Sequence, residues 1–470
     1  MIRYVSTRGP GTPQSFTDVM LAGLAPDSGL YIPDMWPEID RDLLSHLAGT
    51  PYTNVAMEIM TPFVGKAVPP DVLFKILQDT YEGGSFDHAC VAPLVQVGPS
   101  AWIMELFHGP TLSFKDYALQ FIGRLFDYLL EQKGQRLTII GATSGDTGSA
   151  AIEACRNCKN IDIFILHPKG RTSEIQRRQM TTVDAPNVFN IAVEGTFDDC
   201  QTLVKTMLGD AKMRGDLNLS AINSINWARI MAQIVYYATA ALALGAPHRP
   251  VSFAVPTGNF GNVYAGWCAR RIGLPIDQLI VATNKNDILT RFFETGDMRM
   301  ERVTPTLSPS MDIQISSNFE RYLCDLMGRD YEGLKKLMHA FKVQKAFIMN
   351  PDSMQKAKRE FTAQRCDDDT TLQTMRECYL QSGVMIDPHT AVGLYGAMTK
   401  RDDPSVPVVA LACAHPAKFP DAVEKAIGIR PPMPAALDGL LGKAEHYIVL
   451  PNDLGKVQAY IRNEAKAIRR

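Results

Sequence analysis

The chain has 470 residues, 46% of them hydrophobic and 21% charged, with a formal net charge of −2. That balance excludes a disordered chain and leaves no basic surplus for a nucleic acid or an anionic membrane surface. Nine cysteines, an odd number spread from Cys90 to Cys413, do not make the dense, even framework of a secreted disulfide scaffold, and no run approaches the roughly 18 apolar residues of a membrane span.

The opening MIRYVSTRGPGTPQ lacks an apolar signal-peptide core, so a cytoplasmic protein is expected. Residues 1–92 carry repeated Pro and Gly punctuation (GPGTP, LAPDSG, IPDMWP, VPPD) around short helical patterns such as Asp71 to Asp79, and they read as a separate N-terminal module. From about residue 101 short apolar runs alternate with helical patterns, the signature of parallel sheets with helices on both faces. The expected strands are WIMELF, RLTIIG, DIFILH, VFNIAV, VSFAVP, QLIVAT and VPVVALAC, each nearly continuous in apolar residues, as strands covered on both sides must be. Between the first two, Leu119, Ile122, Leu125, Phe126 and Leu129 recur at three- and four-residue steps and predict a helix over Asp116 to Gln132. The stretch of about 308–380 is helical in pattern and rich in charge, without convincing strands, and reads as an insertion. Two α/β domains, 93–235 and 236–470, are thus expected behind the N-terminal module.

Ligands of such sheets bind where strands end and helices begin. HGPTLSFKD places Lys115 at a helix start, where the macrodipole disfavours a cation; alone, this lysine reads most simply as a side chain snorkelling to solvent. GATSGDTGSA follows a strand and offers Thr143, Ser144, Asp146 and Thr147 either as caps or as a carboxylate grip. PTGNFGN, also after a strand, brings Gly258 and Gly261 where a backbone can approach a phosphate, although a tight turn explains it equally well. It is neither a dinucleotide fingerprint nor a Walker loop. One phosphate loop, one carboxylate loop and one awkward lysine together suit pyridoxal phosphate, which needs an amine for a Schiff base and a phosphate cradle. Cys155 and Cys158 have redox spacing but lie late in a helix with no second CxxC, so neither reactivity nor a metal is expected.

The motifs resemble, almost end to end, those of the threonine synthases, pyridoxal-phosphate enzymes of the tryptophan synthase β-subunit fold (fold type II), in their longer bacterial and fungal branch: LAPDSGLYIP, HGPTLSFKD, TSGDTGSAA, NSINWARI, PTGNFGN, ATNKND with RFFETG, and AHPAKFPDAV follow in the family's order. The resemblance implies two parallel-sheet α/β domains with the cofactor between them, and conversion of O-phospho-L-homoserine and water to L-threonine and phosphate. An eliminase of the same fold, releasing a 2-oxo acid and ammonia, is the alternative. It further implies Lys115 as the Schiff-base lysine and proton shuttle, and Gly258, Asn259, Phe260, Gly261 and Asn262 around the cofactor phosphate. Thr143, Ser144, Asp146 and Thr147 would surround the substrate carboxylate and cofactor, Ser224, Arg229 and Lys285 the substrate phosphate. Cys413 stands where the family usually places a Thr hydroxyl against the ring nitrogen. His108 and His415 lie in matching motifs, as cofactor neighbours or as structural histidines. The expected partner is a small molecule alone, acted on by a monomer or homodimer.

Overall fold

The structure, a computed structural model, describes residues 1–143, 145–221 and 224–466. All seven expected strands form, and they divide between two sheets. In one, the strands lie side by side in the order Thr362–Arg365, Ile276–Thr283, Val251–Pro256, Val408–Ala412, Ala101–Glu105, Leu94–Gly98; every pair is parallel except the last, a hairpin. The other runs Ile448–Pro451, Val188–Glu194, Ile161–Pro168, Leu137–Ala142, Leu219–Ser220, parallel throughout. Val251–Pro256 and Ile161–Pro168 are buried at every position, because helices cover both faces. The helix Trp227–Ala243, apolar around most of its circumference, packs against helices Tyr52–Val64, Lys115–Lys133 and Gly261–Arg271 and so joins all parts of the molecule.

Two expectations need correction. The stretch of 308–380 does hold helices, Phe319–Leu326, Tyr331–Gln344, Pro351–Glu360 and most of Asp368–Ser382, but also the edge strand Thr362–Arg365 and a short strand Ala346–Ile348 paired with Asp297–Arg299. An edge strand needs only one apolar face, and TAQR has no run to betray it. The sheets also cut across the division at 235/236. Leu94–Gly98 and Ala101–Glu105 pair with the strands of the C-terminal half, and Ile448–Pro451 returns to extend the sheet of the 137–220 region. A boundary drawn along the chain cannot represent a sheet completed by hydrogen bonds between distant segments.

The N-terminal module begins with a three-stranded antiparallel sheet (Tyr4–Ser6 between Gly9–Gln14 and Tyr31–Pro33) and continues as helices to Tyr81. Its LAPDSG turn is held by Asp27, whose Oδ1 accepts from Ser6 Oγ (2.7 Å) and Gly29 N (2.9 Å), and a Cβ on Gly29 would lie 2.1 Å from Ser6 Oγ. Arg321, fully buried, ties this module to the rest. Its Nε donates to Tyr31 O (2.9 Å), its Nη2 to Ile225 O (2.5 Å) and its Nη1 to Asn318 Oδ1. Beside it Glu320 accepts from Thr7 Oγ1 (2.7 Å) and pairs with Arg8 (2.9 Å). No described helix is long and apolar enough to cross a membrane.

Arg321→Met strips buried acceptors on two segments of their donor, each costing about 1–3 kcal/mol. The expected result is a loss on the order of 3 kcal/mol in denaturant unfolding, with the N-terminal module released first in limited proteolysis.

Candidate functional site

The loop from Ala101–Glu105 to the helix Lys115–Lys133 is stitched to the loop leaving Val408–Ala412. Phe114 N donates to Cys413 O (2.9 Å), His415 N to Leu112 O (3.1 Å), and Ser113 bridges Ala414. Asp116 closes the turn by accepting from Thr111 N (2.8 Å) and Thr111 Oγ1 (2.7 Å), and a Cβ on Gly109 would stand 2.4 Å from Asp116 Cβ. Only glycine fits there. Burial lifts the Asp116 carboxyl to about 6 against the pull of Thr111.

This frame turns Lys115 inward. Its side chain is 11% exposed, with Nζ 3.6 Å from Asp146 Oδ2, which overturns the reading of Lys115 as a solvent-facing cation. Asp146 Oδ1 in turn accepts from Lys418 Nζ (2.6 Å) and Gln176 Nε2 (2.9 Å). Burial pulls the Lys115 amine down; Asp146 opposes this, while Lys418 and Arg229 reinforce it. For Asp146, burial acts upward, but Lys418 and Lys115 outweigh it and hold the carboxyl well below its usual range.

Thr143 organises the second loop. Its Oγ1 accepts from Gly145 N (3.0 Å) and Gly148 N (2.9 Å), while the helix Asp146–Cys155 begins from Gly145 without a side-chain cap. Capping by Asp146 is therefore not what this carboxylate does; it faces the lysines. Thr147 is half-buried beside it, and Ser144 lies outside the described residues.

The third loop links Val251–Pro256 to the helix Gly261–Arg271. Its carbonyls are turned outward: Gly258 O accepts from Ser316 Oγ (2.7 Å) and Asn259 O from Asn318 N (3.0 Å). Among the described residues none accepts from the backbone N–H groups of Gly258 to Asn262, which are left for an anion at the positive helix end. Phe260 sits at φ +60, a left-handed conformation unusual for a bulky residue, held by packing on Phe319 (4.8 Å between centroids), Phe361 and Tyr322. A Cβ on Gly258 would meet Ser310 O at 3.1 Å and Met311 Cα at 3.3 Å. Asn262 points elsewhere: its Nδ2 donates to Cys413 Sγ (3.7 Å), and its Oδ1 accepts from Tyr236 OH (2.6 Å) and Tyr237 OH (3.0 Å). Burial pushes the Cys413 thiol far up, so it stays a neutral group beside Lys115.

Of the expected phosphate contacts, Ser224 shares a hydrogen bond with Ser317 (3.0 Å between oxygens). Arg229 is 5% exposed, its Nη1 has no hydrogen-bond partner among the described residues, and burial draws it down to about 10. A buried guanidinium nitrogen in that state suits an anionic ligand. Lys285 is exposed; in its motif the buried neighbours Asn284 and Asn286 act instead, both donating to Asp312 Oδ1 (2.8 and 2.9 Å) and so fixing the segment that carries Ser310 and Met311 over Gly258. Lys418, Gln176, Ser316 and Asn318 were not singled out from sequence, though Lys418, the one cation in AHPAKF, was visible there.

His108 is a clamp, its Nδ1 2.7 Å from Asp87 Oδ1 and its Nε2 2.8 Å from Glu105 Oε2, while His415 Nδ1 accepts from Ala417 N (3.1 Å). Cys155 and Cys158 are buried. The residues present fit pyridoxal phosphate: a buried amine of lowered basicity and a row of N–H groups for the phosphate.

Three family profiles match the chain: "Threonine synthase N terminus" over residues 3–81, "Pyridoxal-phosphate dependent enzyme" over 90–335 and "Threonine synthase, C-terminal" over 390–461. The chain is 52% identical to the threonine synthase of Pseudomonas aeruginosa, over 98% of both proteins. It superposes on the pyridoxal-phosphate-bound threonine synthase of Brucella melitensis with a TM-score of 0.97 at 48% identity, covering 99% of this chain and 100% of that one. For the threonine synthase of yeast the values are 0.93 and 38%, over 98% of each chain.

Two outcomes are expected. Gly258→Ala pushes on the backbone at Ser310 and Met311, so equilibrium dialysis of the cofactor should show about tenfold weaker binding, equivalent to ~1.4 kcal/mol. For His108, burial acts downward but Glu105 and Asp87 outweigh it, so its folded pKa lies above the unfolded value. Its stabilisation is then complete below about 6.5 and fades as pH rises through the folded value. His108→Gln should cost on the order of 1 kcal/mol in urea unfolding at acid pH, and less as the pH is raised.

Proposed function

Because the chain belongs to the threonine synthase family of pyridoxal-phosphate-dependent lyases, we propose that it converts O-phospho-L-homoserine and water to L-threonine and phosphate, the last step of threonine biosynthesis. The observation that carries this reading is the buried Lys115 amine, set beside Asp146 and Cys413 and within the field of Arg229, whose Nη1 has no hydrogen-bond partner among the described residues. Bound pyridoxal phosphate supplies an electron sink for negative charge at the substrate carbons next to its amine.

The protein's own groups do the rest. Lys115 would hold the cofactor and, when its amine is free, would take the Cα proton and serve Cβ, which requires it to be neutral. The N–H groups of Gly258, Asn259, Phe260, Gly261 and Asn262 would hold the cofactor phosphate, and Cys413, braced by Asn262, would serve its ring nitrogen. Thr143, Ser144, Asp146 and Thr147 would lie around the substrate carboxylate and the cofactor, Asp146 on the side of Lys115. Ser224 and Arg229 receive the substrate phosphate, by a hydroxyl and a planar fork, and Lys285 acts as an outer, solvent-facing cation. Phosphate leaves from Cγ as a Cβ proton is lost, Cγ gains a proton to become the methyl group, and water then adds its hydroxyl at Cβ while a proton returns to Cα. The proposal places the enzyme in the cytoplasm, as a monomer or homodimer whose partner is a small molecule; the net charge of −2 supports the exclusion of nucleic acid.

Incubation with O-phospho-L-homoserine should yield threonine and phosphate in equal amounts; 2-oxobutyrate and ammonia as sole products would overturn the reading in favour of an eliminase. Lys115→Ala should lower kcat on the order of 10³-fold or more and abolish the borohydride-trapped adduct. Arg229→Gln should act mainly on KM, raising it about 30-fold, as expected for a lost charged hydrogen bond of ~2 kcal/mol.

A further inference from the structure

We propose that Lys418 is a positioning residue for the reaction: by occupying one oxygen of Asp146 it keeps that carboxylate from fixing Lys115 as an ammonium. The inference rests on the reading of Lys115 as the cofactor lysine and deepens it.

The two contacts of Asp146 are unequal. Lys418 Nζ is 2.6 Å from Oδ1, whereas Lys115 Nζ is 3.6 Å from Oδ2, beyond hydrogen-bond reach. Gln176 Nε2 also donates to Oδ1, at 2.9 Å, and steadies the carboxylate in this orientation. Lys418 itself cannot drift. Its side chain is 0% exposed and its Nζ also donates to Thr111 O (2.8 Å), on the loop stitched to Cys413 and His415.

The charged and titratable groups facing Lys115 are Asp146 on the helix Asp146–Cys155, Lys418 and Cys413 on the loop after Val408–Ala412, and Arg229 on the helix Trp227–Ala243. Two lysines therefore share one carboxylate, with Arg229 as a further nearby cation. Without Lys418, Asp146 is free to turn wholly to Lys115, and the proton becomes harder to remove. Without Asp146, Lys418 stands unpaired beside Lys115 and the proton leaves more readily. Opposite displacements from two partners in one ion pair are the mark of this role; loss of scaffold would not produce them.

The test uses the full-length apoenzyme and the rate at which pyridoxal 5′-phosphate is captured at Lys115 as a function of pH. Each time point is quenched with borohydride and the Lys115 peptide quantified by mass spectrometry, so that turnover is not the readout. Lys418→Gln should move the midpoint of the profile up by about one pH unit, a roughly tenfold slower capture below it. Asp146→Asn should move it down, and Lys418→Arg should stay near the wild type. Shifts of the same sign in Lys418→Gln and Asp146→Asn, or an unmoved midpoint in Lys418→Gln, would overturn the proposal. Should Lys418→Gln fail to fold, Lys418→Met, which removes the charge and keeps Asp146, decides: its midpoint must rise relative to the wild type, and failure to rise is contrary. A wild-type apoenzyme that forms no adduct at Lys115 refutes the reading of the site itself, whereas an adduct with unmoved midpoints refutes only the part assigned to Lys418.

Discussion

Burial favours loss of a lysine's proton, yet its ammonium form cannot be buried without a counter-charge. Around Lys115 that conflict is met by one carboxylate shared unequally between two lysines, at 2.6 and 3.6 Å. Asp146 offsets one of the two positive charges, gives its nearer contact to Lys418 and leaves Lys115 the weaker claim on it. The surrounding structure serves this placement. Asp116 and Thr111 set the turn that points Lys115 inward, the Ser113–Ala414 bridge brings Lys418 alongside, and the carboxyl ends of parallel strands deliver both loops to one edge.

Among the described residues seven non-glycine residues have positive φ; Val91, Asn218, Arg329 and Lys345 lie outside the long motifs and three lie inside them. Ser28, Leu112 and Phe260, each inside one of the long motifs, have positive φ without being glycine. Each is held by what surrounds it: Ser28 by the Asp27 turn, Leu112 by Leu437 and Leu440, Phe260 by an aromatic cluster. Just before Phe260, the carbonyls of Gly258 and Asn259 are taken by Ser316 and Asn318.

The parallel strands were legible because strands covered on both faces must be apolar throughout, and VSFAVP or DIFILH can be little else. Thr362–Arg365 was not, since a polar edge strand carries no such run; nor was the return of Ile448–Pro451 to a sheet begun some 300 residues earlier, which local pattern cannot encode. Within the site, Lys115 and the glycine loop stood out by their placement against the helix dipole and the strand ends. Lys418 did not, because its significance lies wholly in a contact across the fold. Asn262 was read as part of the phosphate cradle for its position, but its side chain is committed to Tyr236, Tyr237 and Cys413.

The way the sheets are completed also sets when they can be. Thr111 and Lys418 are 307 residues apart, and Ala101–Glu105 waits for Val408–Ala412 as the other sheet waits for Ile448–Pro451. At about 5–20 residues per second, a ribosome takes roughly 15–60 s to synthesise the intervening chain. During that interval Lys115 has emerged but has neither Lys418 nor its finished sheet, and the edge of Ala101–Glu105 that Val408–Ala412 will cover is open to other strands. The arrangement of Lys115, Asp146 and Lys418 is therefore completed only after nearly the whole chain has been made.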